Sequence, residues 1–241
     1  MLIKTKAIVL TSLKYAEADL IVKCLTEEGI KSYLIRSIFR SRSKKLKIGY
    51  FQPLSQLDIT ANHNKQGNLN KINEARVSYL YQSLATNIYK QSIALFLAEV
   101  LTHALKEEEK NQVQFSFIET SLQWLDQQDS YANFHLIFML QLTKYLGFYP
   151  DVDNQKAAYF DLEEGTFRNA KPYRNFLHGK KLILFKSIIG IKFDDMLRLK
   201  WNSEARQIVL DILLEYYEFH LPGFKKPRSL KVLKEVFNEI S

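Results

Sequence analysis

The sequence predicts an α+β protein in which a small β-barrel, residues 1–78, precedes a mainly helical region, residues 79–241. Up to Val77 the chain contains short alternating apolar runs, the pattern of half-buried strands. From about Ser78 apolar residues recur at three- and four-residue spacing, the pattern of amphipathic helices. The first 75 residues also hold 13 Lys and Arg against 6 Asp and Glu, whereas the whole chain holds 34 against 26, so the positive charge is concentrated in the barrel.

Five strands are predicted for the barrel. They span Thr5–Leu13, Asp19–Thr26, Lys31–Ile38, Tyr50–Ala61 and Leu69–Val77. Gly29 supplies the turn between the second and third strands. Pro53 lacks an amide hydrogen, so we expect it at an edge, a bulge or the start of the fourth strand. Five short strands in so few residues are typical of an OB-fold, whose second and third strands commonly bind oligonucleotides.

Seven helices are predicted after the barrel. They span Ser78–Leu105 (with a break near Tyr89), Val113–Gln127, Tyr131–Leu146, Leu182–Ser187, Asp194–Leu199, Ser203–His220 and Ser229–Ile240. Between Gly147 and Gly179 the residues Pro150, Gly165 and Pro172 interrupt this periodicity, which predicts an irregular insertion. Periodicity leaves open whether the insertion is an ordered subdomain or a mobile loop.

A basic segment between Gly29 and Leu57 carries seven cations and no Asp or Glu. The cations are Lys31, Arg36, Arg40, Arg42, Lys44, Lys45 and Lys47. Charge of one sign on a small domain attracts phosphate backbones, so these residues are the predicted DNA contacts, with Tyr33 and Phe39 as rings that could stack on unpaired bases. A solvated basic hairpin is the alternative reading. Strand alternation puts Tyr33 on the same face as Ile35, so Tyr33 is either a stacking residue or part of the core.

No catalytic or metal-binding motif is recognisable. The five histidines are dispersed, and no phosphate loop, dinucleotide-binding motif or nucleophile elbow occurs. The single cysteine, Cys24, lies in an apolar alternation and is expected to be buried; it has no partner for a disulfide or a zinc site. We therefore expect no enzymatic activity, no cofactor and no metal. No apolar run approaches the length of a membrane span or a signal peptide, which predicts a cytoplasmic protein.

Several short motifs, in order along the whole chain, resemble the RecO family of bacterial recombination mediators. They are Thr5-Lys-Ala-Ile-Val-Leu10, Tyr15-x-Glu17-x-Asp19, Leu25-Thr-Glu-Glu-Gly29, Phe51-Gln-Pro-Leu54, Leu142-x-x-x-Leu146-Gly-Phe-Tyr-Pro150, Tyr216-x-x-x-His220-Leu-Pro-Gly-Phe224 and Ser229-Leu-x-Val-Leu233. Within them Glu17 and Asp19 are expected to serve turn chemistry or an ion pair in the barrel.

The resemblance implies a non-catalytic DNA repair and recombination factor that acts on DNA at the nucleoid. Such a factor binds single- and double-stranded DNA, anneals complementary strands and, with its partner RecR, helps load the recombinase RecA onto DNA coated by single-strand-binding protein. Zinc-bearing members place two cysteine pairs after the Gly-Phe-x-Pro motif. Residues 151–170 contain no cysteine, so the metal is not carried over and the insertion is expected to be held by packing.

The resemblance also implies that the helical region recognises the acidic, Phe-ended carboxyl-terminal tail of single-strand-binding protein. Phe224, Lys225, Lys226 and Arg228 are the candidate residues, because an apolar pocket rimmed by cations can hold a terminal carboxylate and its ring. A plain surface turn is the alternative reading of these lysines.

Two functions of other classes compete with this one. The chain could be a protein-binding helical scaffold whose barrel is a docking module without DNA binding. An RNA-acting enzyme with an OB appendage would need a catalytic cluster that the sequence does not show.

Overall fold

The computed structural model describes residues 1–40, 46–64, 69–105 and 110–238, without the side chains of residues 197 and 238. The chain forms two compact units. The first contains Met1–Gln127 and Pro227–Ser229, and the second contains Gln128–Lys226 and the chain from Leu230 onward. The change from strands to helices, expected near residue 78, lies at the end of the last barrel strand. The first compact unit continues past this change and also contains two helices.

The first unit is built on a five-stranded antiparallel sheet. Its strands are β1 (Leu2–Tyr15), β2 (Asp19–Thr26), β3 (Gly29–Ile35), β4 (Gln56–Asn62) and β5 (Lys71–Tyr79), in the order β3-β2-β1-β4-β5. The sheet closes into a barrel because the Leu34 amide donates to the Asn70 carbonyl at 2.9 Å and the Asn70 amide donates to the Ser32 carbonyl at 2.8 Å. This closure of β3 on the start of β5 confirms the predicted OB-type barrel.

The barrel core follows from alternation along the strands. Val22 and Cys24 of β2 and Tyr33 and Ile35 of β3 point inward and are buried with residues of β1, β4 and β5. Cys24 is fully buried, as expected, and burial raises the pKa of its thiol to about 12. The thiol therefore behaves as a small apolar side chain rather than as a nucleophile.

The fourth strand begins six residues later than predicted. Residues Ile48–Phe51 form a 3-10 helix, and Pro53 lies in the turn before β4. Phe51 and Leu54 are buried, and the Leu54 amide donates to the Val9 carbonyl at 2.7 Å. The apolar run that predicted a strand from Tyr50 therefore covers one end of the barrel instead of alternating across a sheet.

Two helices complete the first unit: α1 (Ile88–Ala104) and α2 (Gln112–Gln127). The helix predicted from Ser78 begins ten residues later, because the chain continues in β5 to Tyr79 and then turns. The side chain of Asn87 caps α1 by accepting from the amides of Tyr89 and Lys90. The apolar spacing that predicted a helix from Ser78 was misleading at its start, because Leu80 lies beyond the end of β5 and is 78% exposed.

The second unit is mainly helical. It contains α3 (Phe134–Leu146), β6 (Tyr159–Asp161), β7 (Thr166–Arg168), β8 (Phe176–Leu177), α4 (Gly179–Ile188), a 3-10 helix (Phe193–Arg198), α5 (Ser203–His220) and α6 (Leu230–Asn238). The order of helices agrees with the sequence prediction. Within the described ranges of both units, no helix combines the length and the apolar character that crossing a membrane requires.

The insertion is an ordered three-stranded sheet in the order β7-β6-β8. Its core is aromatic: the Phe160 ring lies 4.8 Å from the rings of Phe167 and Phe185, and 6.0 Å from the ring of Tyr216. Among the residues that the structure describes, no group of three His, Cys, Asp or Glu is placed to hold a metal ion. Packing of large rings holds this sheet against α4 and α5.

Candidate nucleic-acid interface

The described cations of the basic segment do not form one group. Lys31 is near the start of β3, whereas Arg36, Arg40 and the Phe39 ring belong to the turn of residues 36–40 that follows this strand. Five residues of extended chain separate Lys31 from Arg36 by about 16 Å, so Lys31 lies toward the opposite end of the barrel. Lys47 is exposed and immediately precedes the 3-10 helix. The remaining predicted contacts, Arg42, Lys44 and Lys45, lie outside the described residues.

Two acidic residues shape the 36–40 turn. The Asp19 carboxylate accepts from the Ser37 amide at 2.7 Å, and the Arg40 guanidinium pairs with the Glu17 carboxylate. Ser37 has a left-handed backbone with φ of 55°. The expected turn and ion-pair roles of these two acids are both found. The turn is therefore held to the β1–β2 hairpin with its arginines and Phe39 facing solvent.

The Phe39 ring is the accessible aromatic of this turn. It is 43% exposed, and the Lys14 ammonium lies 5.5 Å from its centroid. An open ring beside cations is what stacking on an unpaired base requires. Stacking by Phe39 therefore stays a prediction, made on a ring that is accessible to a base.

Lys14 is a further cation of this surface that the sequence reading missed. Strand register is the signal that could have found it, because Lys14 pairs with Leu20 and Leu20 pairs with Ile35 at the end of β3. We call Lys14, Arg36, Phe39 and Arg40, together with Lys47 as the next described cation along the chain, the turn cluster. Lys47 itself lies with its ammonium 5.8 Å from the Tyr50 ring.

The stacking role allowed for Tyr33 is wrong. Tyr33 is 0% exposed in the barrel core, and Ile35, on the same face of β3, is also buried. Its hydroxyl is hydrogen-bonded to Nε2 of His63 at 3.0 Å, and burial raises the pKa of the phenol. A ring enclosed on both faces offers no surface to a base, so Tyr33 is a core residue.

Lys31 lines a separate cavity of about 390 Å³ with Lys4, His63 and Glu28. Burial, Lys31 and the terminal ammonium lower the pKa of His63, which favours its neutral form. The Glu28 carboxylate is already paired with Lys110 at 2.7 Å. An anion entering this cavity would therefore meet the ammonium groups of Lys4, Lys31 and the amino terminus, which suits a phosphate contact by Lys31 away from the turn cluster.

The residues considered for a protein partner are divided between different environments. Phe224 is 8% exposed with its ring 5.2 Å from that of Tyr217, so the expectation that Phe224 offers an apolar surface to a ligand is wrong. Lys225 and Lys226 are exposed, and Lys226 pairs with Glu218 at 3.0 Å. The Arg228 side chain is exposed while its amide donates to the Glu99 carboxylate at 2.5 Å. Of the four candidate residues, the three cations are exposed and the aromatic ring is buried.

The chain matches two family models along almost its entire length. Residues 1–81 match the model described as Recombination protein O N terminal, and residues 85–230 match Recombination protein O C terminal. Similar curated proteins carry the name DNA repair protein RecO. That of Flavobacterium psychrophilum is 47% identical over 241 residues, that of Flavobacterium johnsoniae 46% over 239, and that of Phocaeicola vulgatus 36% over 241. Each alignment covers 99% of this chain and 100% of the relative.

Proposed function

The chain belongs to the RecO family of DNA repair proteins, and on this premise we propose that it is a recombination mediator that binds single- and double-stranded DNA and anneals complementary strands. With RecR it helps load RecA onto DNA that is coated by single-strand-binding protein. The observation that carries the DNA-binding part is the turn cluster, where the exposed Phe39 ring lies beside the Lys14 ammonium and in the same turn as the exposed Arg36 and Arg40.

The turn cluster supports DNA binding through two kinds of contact. Arg36, Arg40 and Lys47, together with Lys14, neutralise backbone phosphates, and Arg42, Lys44 and Lys45 extend the same run of charge along the sequence. Phe39 supplies a face for one unpaired base. Neither contact reads a base edge, so we expect binding with little sequence preference and a strong dependence on salt.

Annealing by this protein requires no bond to be made or broken. Two complementary strands repel each other through their phosphates, and pairing becomes favourable once that repulsion is reduced and the strands are held together. We therefore propose that the protein acts without catalytic residues and without a cofactor. It would speed annealing by neutralising the phosphates of the two strands and by holding the strands close together.

The partner side of the proposal concerns the acidic tail of single-strand-binding protein. The exposed cations Lys225, Lys226 and Arg228 would pair with the acidic residues of that tail. Because Phe224 is buried, the tail aromatic must find its apolar contact elsewhere. Replacing Lys225 with Ala should therefore weaken tail binding without abolishing it, since a single exposed charge contributes modestly.

The test is a fluorescence-anisotropy titration of labelled single-stranded DNA over a series of salt concentrations. The variant Arg36→Ala/Lys47→Ala removes two cations of the turn cluster, and Lys200→Ala/Lys231→Ala removes two exposed cations of the second unit as a charge-matched control. Two lost phosphate contacts should reduce the log–log salt slope by about 1.4 for a single strand, with no change in the control.

The outcomes separate the competing functions. A smaller slope in the first variant alone supports DNA binding at the turn cluster. Equal slopes in all three proteins would contradict that site. If the unmodified protein binds no DNA, the scaffold with a docking barrel becomes the better account. Annealing of complementary strands, and RecA loading in the presence of RecR and single-strand-binding protein, are then measured with the same variants.

A further inference from the structure

A second basic segment lies in the other unit of the chain. Residues 165–193 contain seven cations and no Asp or Glu, the same numbers as in the basic segment of the barrel. The cations are Arg168, Lys171, Arg174, Lys180, Lys181, Lys186 and Lys192. The segment contains β7, β8 and the whole of α4, so it includes the two outer strands of the small sheet and one complete helix.

Most of these cations are exposed, and the same segment carries one aromatic ring that is almost entirely in solvent. Tyr173 is 99% exposed, between Pro172 and Arg174. The Lys171 ammonium lies 5.4 Å from the Phe176 ring, and the His178 ring lies 5.7 Å from that same ring. Phe176 therefore connects the loop that carries Lys171 to the residues that begin α4. We call Lys171, Tyr173, Arg174, Lys180 and Lys181 the insertion patch.

The patch keeps a positive excess after its ion pairs are considered. Arg174 pairs with Glu163 at 3.1 Å and Lys180 pairs with Glu204 at 2.6 Å, and all four side chains are at least 35% exposed. Within the described part of the chain, no carboxylate lies within 4.0 Å of the ammonium of Lys171 or Lys181. Exposed pairs of this kind are weak and exchange readily with a phosphate.

Fold stability does not account for this arrangement. Lys180 and Lys181 occupy the first turn of α4, which contains no acidic residue, and cations at that end of a helix oppose its dipole. A tyrosine with almost its entire surface in water contributes little apolar burial. Lys186 is the contrasting case, because its ammonium donates to the Ala157 carbonyl at 2.8 Å and so serves the packing of the insertion.

We propose that the insertion patch is a second single-strand binding site, which holds one DNA strand while the turn cluster holds another. Lys171, Lys180, Lys181 and Arg174 contact phosphates, and the open Tyr173 ring stacks on a base. The proposal rests on the proposed annealing function and gives it a physical basis, because annealing requires two strands on one protein.

A nucleic acid suits this surface better than an acidic protein tail. A peptide anchor needs a concave apolar pocket for a side chain, whereas Tyr173 projects into solvent with both ring faces open. An open ring among separated cations matches the repeat of base and phosphate along a single strand.

The experiment measures how many short strands each chain binds. A decamer of thymidine is titrated at low salt into the full-length protein at concentrations far above the dissociation constant, with complexes counted by native mass spectrometry. The patch variant is Lys171→Ala/Tyr173→Ala/Lys181→Ala, and the variant Lys200→Ala/Lys231→Ala is the surface-charge control. Circular dichroism verifies that each variant is folded. Strand annealing is followed in parallel with two complementary labelled oligonucleotides.

We expect two decamers on the unmodified chain and on the control, and one on the patch variant, with annealing about tenfold slower. One decamer on the unmodified chain, or two on the patch variant, overturns the proposal while leaving DNA binding at the turn cluster intact. No decamer on any protein overturns both the proposal and the proposed function. Unchanged stoichiometry with lost affinity for an acidic, Phe-ended peptide identifies the patch as a peptide site and also overturns the proposal.

Discussion

The ammonium of Lys90, buried in α1, donates a hydrogen bond to the backbone carbonyl of Asp126 at the end of α2, 3.0 Å away. The Asp126 carboxylate in turn accepts from the amides of Gln82, Ser83 and Leu84 at 2.7 to 3.1 Å. One buried carboxylate thereby holds the turn between β5 and α1 against the end of α2. This network ends the β5 strand and fixes where α1 begins.

Replacing Asp126 with Ala should destabilise the protein by about 3 kcal/mol, because three backbone amides lose their acceptor at a buried site. Chemical denaturation monitored by circular dichroism measures the change. Asp129→Ala, at an exposed position nearby in sequence, should change stability by less than about 0.5 kcal/mol. Similar losses for both variants would contradict the role of the network.

Because of the Asp126 carboxylate, we expect the stability of the protein to fall in acid. Burial opposes ionisation of Asp126, but the amides of Leu84, Gln82 and Ser83 outweigh it and hold its pKa below the ordinary value of 3.8. The stabilisation is therefore complete above pH 4 and is lost as the pH falls through the lower, folded-state pKa. Asp126→Asn should remove this step from the pH dependence of unfolding.

At Gly165, in the insertion, any side chain would clash with a neighbouring ring. Its φ is +69°, and an added Cβ would lie 2.6 Å from the hydroxyl of Tyr216, which itself donates to the Phe148 carbonyl at 2.9 Å. Gly165→Ala should cost about 3 kcal/mol through backbone strain and displacement of this buried ring. Gly147→Ala is the matched control, because φ is +84° there and no atom lies within 4 Å, so only about 1 kcal/mol of strain is expected. Thermal unfolding of the two variants compares them directly.

Because His135 is buried, we expect the stability of the protein to fall on mild acidification. The side chain is fully buried, and burial, with a further contribution from the Arg206 guanidinium, lowers the pKa of His135 to about 3. The unfolded chain takes up a proton near pH 6.5 that the folded protein refuses, so stability decreases below that pH. By pH 5 the loss from this group is about 2 kcal/mol. In His135→Phe the difference in stability between pH 7 and pH 5 should shrink by that amount, as measured by chemical denaturation at the two pH values.

Strand alternation and turn composition predicted much of the fold. The bounds of β2 are as predicted, since its alternating residues lie between two clear breaks. Errors arose where apolar residues serve another purpose: Phe51 covers the end of the barrel, and Leu80 is exposed beyond β5. Local spacing cannot distinguish these cases from a strand or a helix, because it contains no information on which partner buries the side chain.

The candidate site was predictable in composition but not in arrangement. A run of cations without acids identified the segment, yet Lys31 lies at the other end of β3 from Arg36 because the intervening residues are extended. Tyr33 could be excluded as a stacking residue only once Ile35 was known to point inward. Lys14 joins the site through the pairing of β1 with β2, which requires the strand register.

Phe39 and Tyr33 make a matched pair for the stacking assignment. Phe39→Ala should lower affinity for single-stranded DNA about tenfold, since stacking on an exposed ring contributes roughly 1–3 kcal/mol per base. Tyr33→Phe should leave DNA affinity within twofold while lowering stability by about 1 kcal/mol, because it removes only the hydroxyl that is bonded to His63. Anisotropy and denaturation on the same preparations separate the two effects. Unchanged stability in Tyr33→Phe would contradict the role given to its buried hydroxyl.

We expect that removing the charge of Glu17 raises the affinity of the protein for single-stranded DNA. Its carboxylate pairs with Arg40, and the two side chains are 84% and 69% exposed, so the pair contributes little to folding. If Arg40 contacts phosphates as proposed, the same carboxylate would lie beside them and repel them. Glu17→Gln should therefore raise affinity for single-stranded DNA about threefold at low salt and leave the thermal midpoint nearly unchanged. The gain should vanish near 1 M salt, where the screening length is about 3 Å. In Arg40→Ala, the second substitution Glu17→Gln should still raise affinity, because the repulsion acts on the phosphate and not on the arginine. A gain that depends entirely on Arg40 would instead mean that Glu17 acts by holding that guanidinium away from DNA.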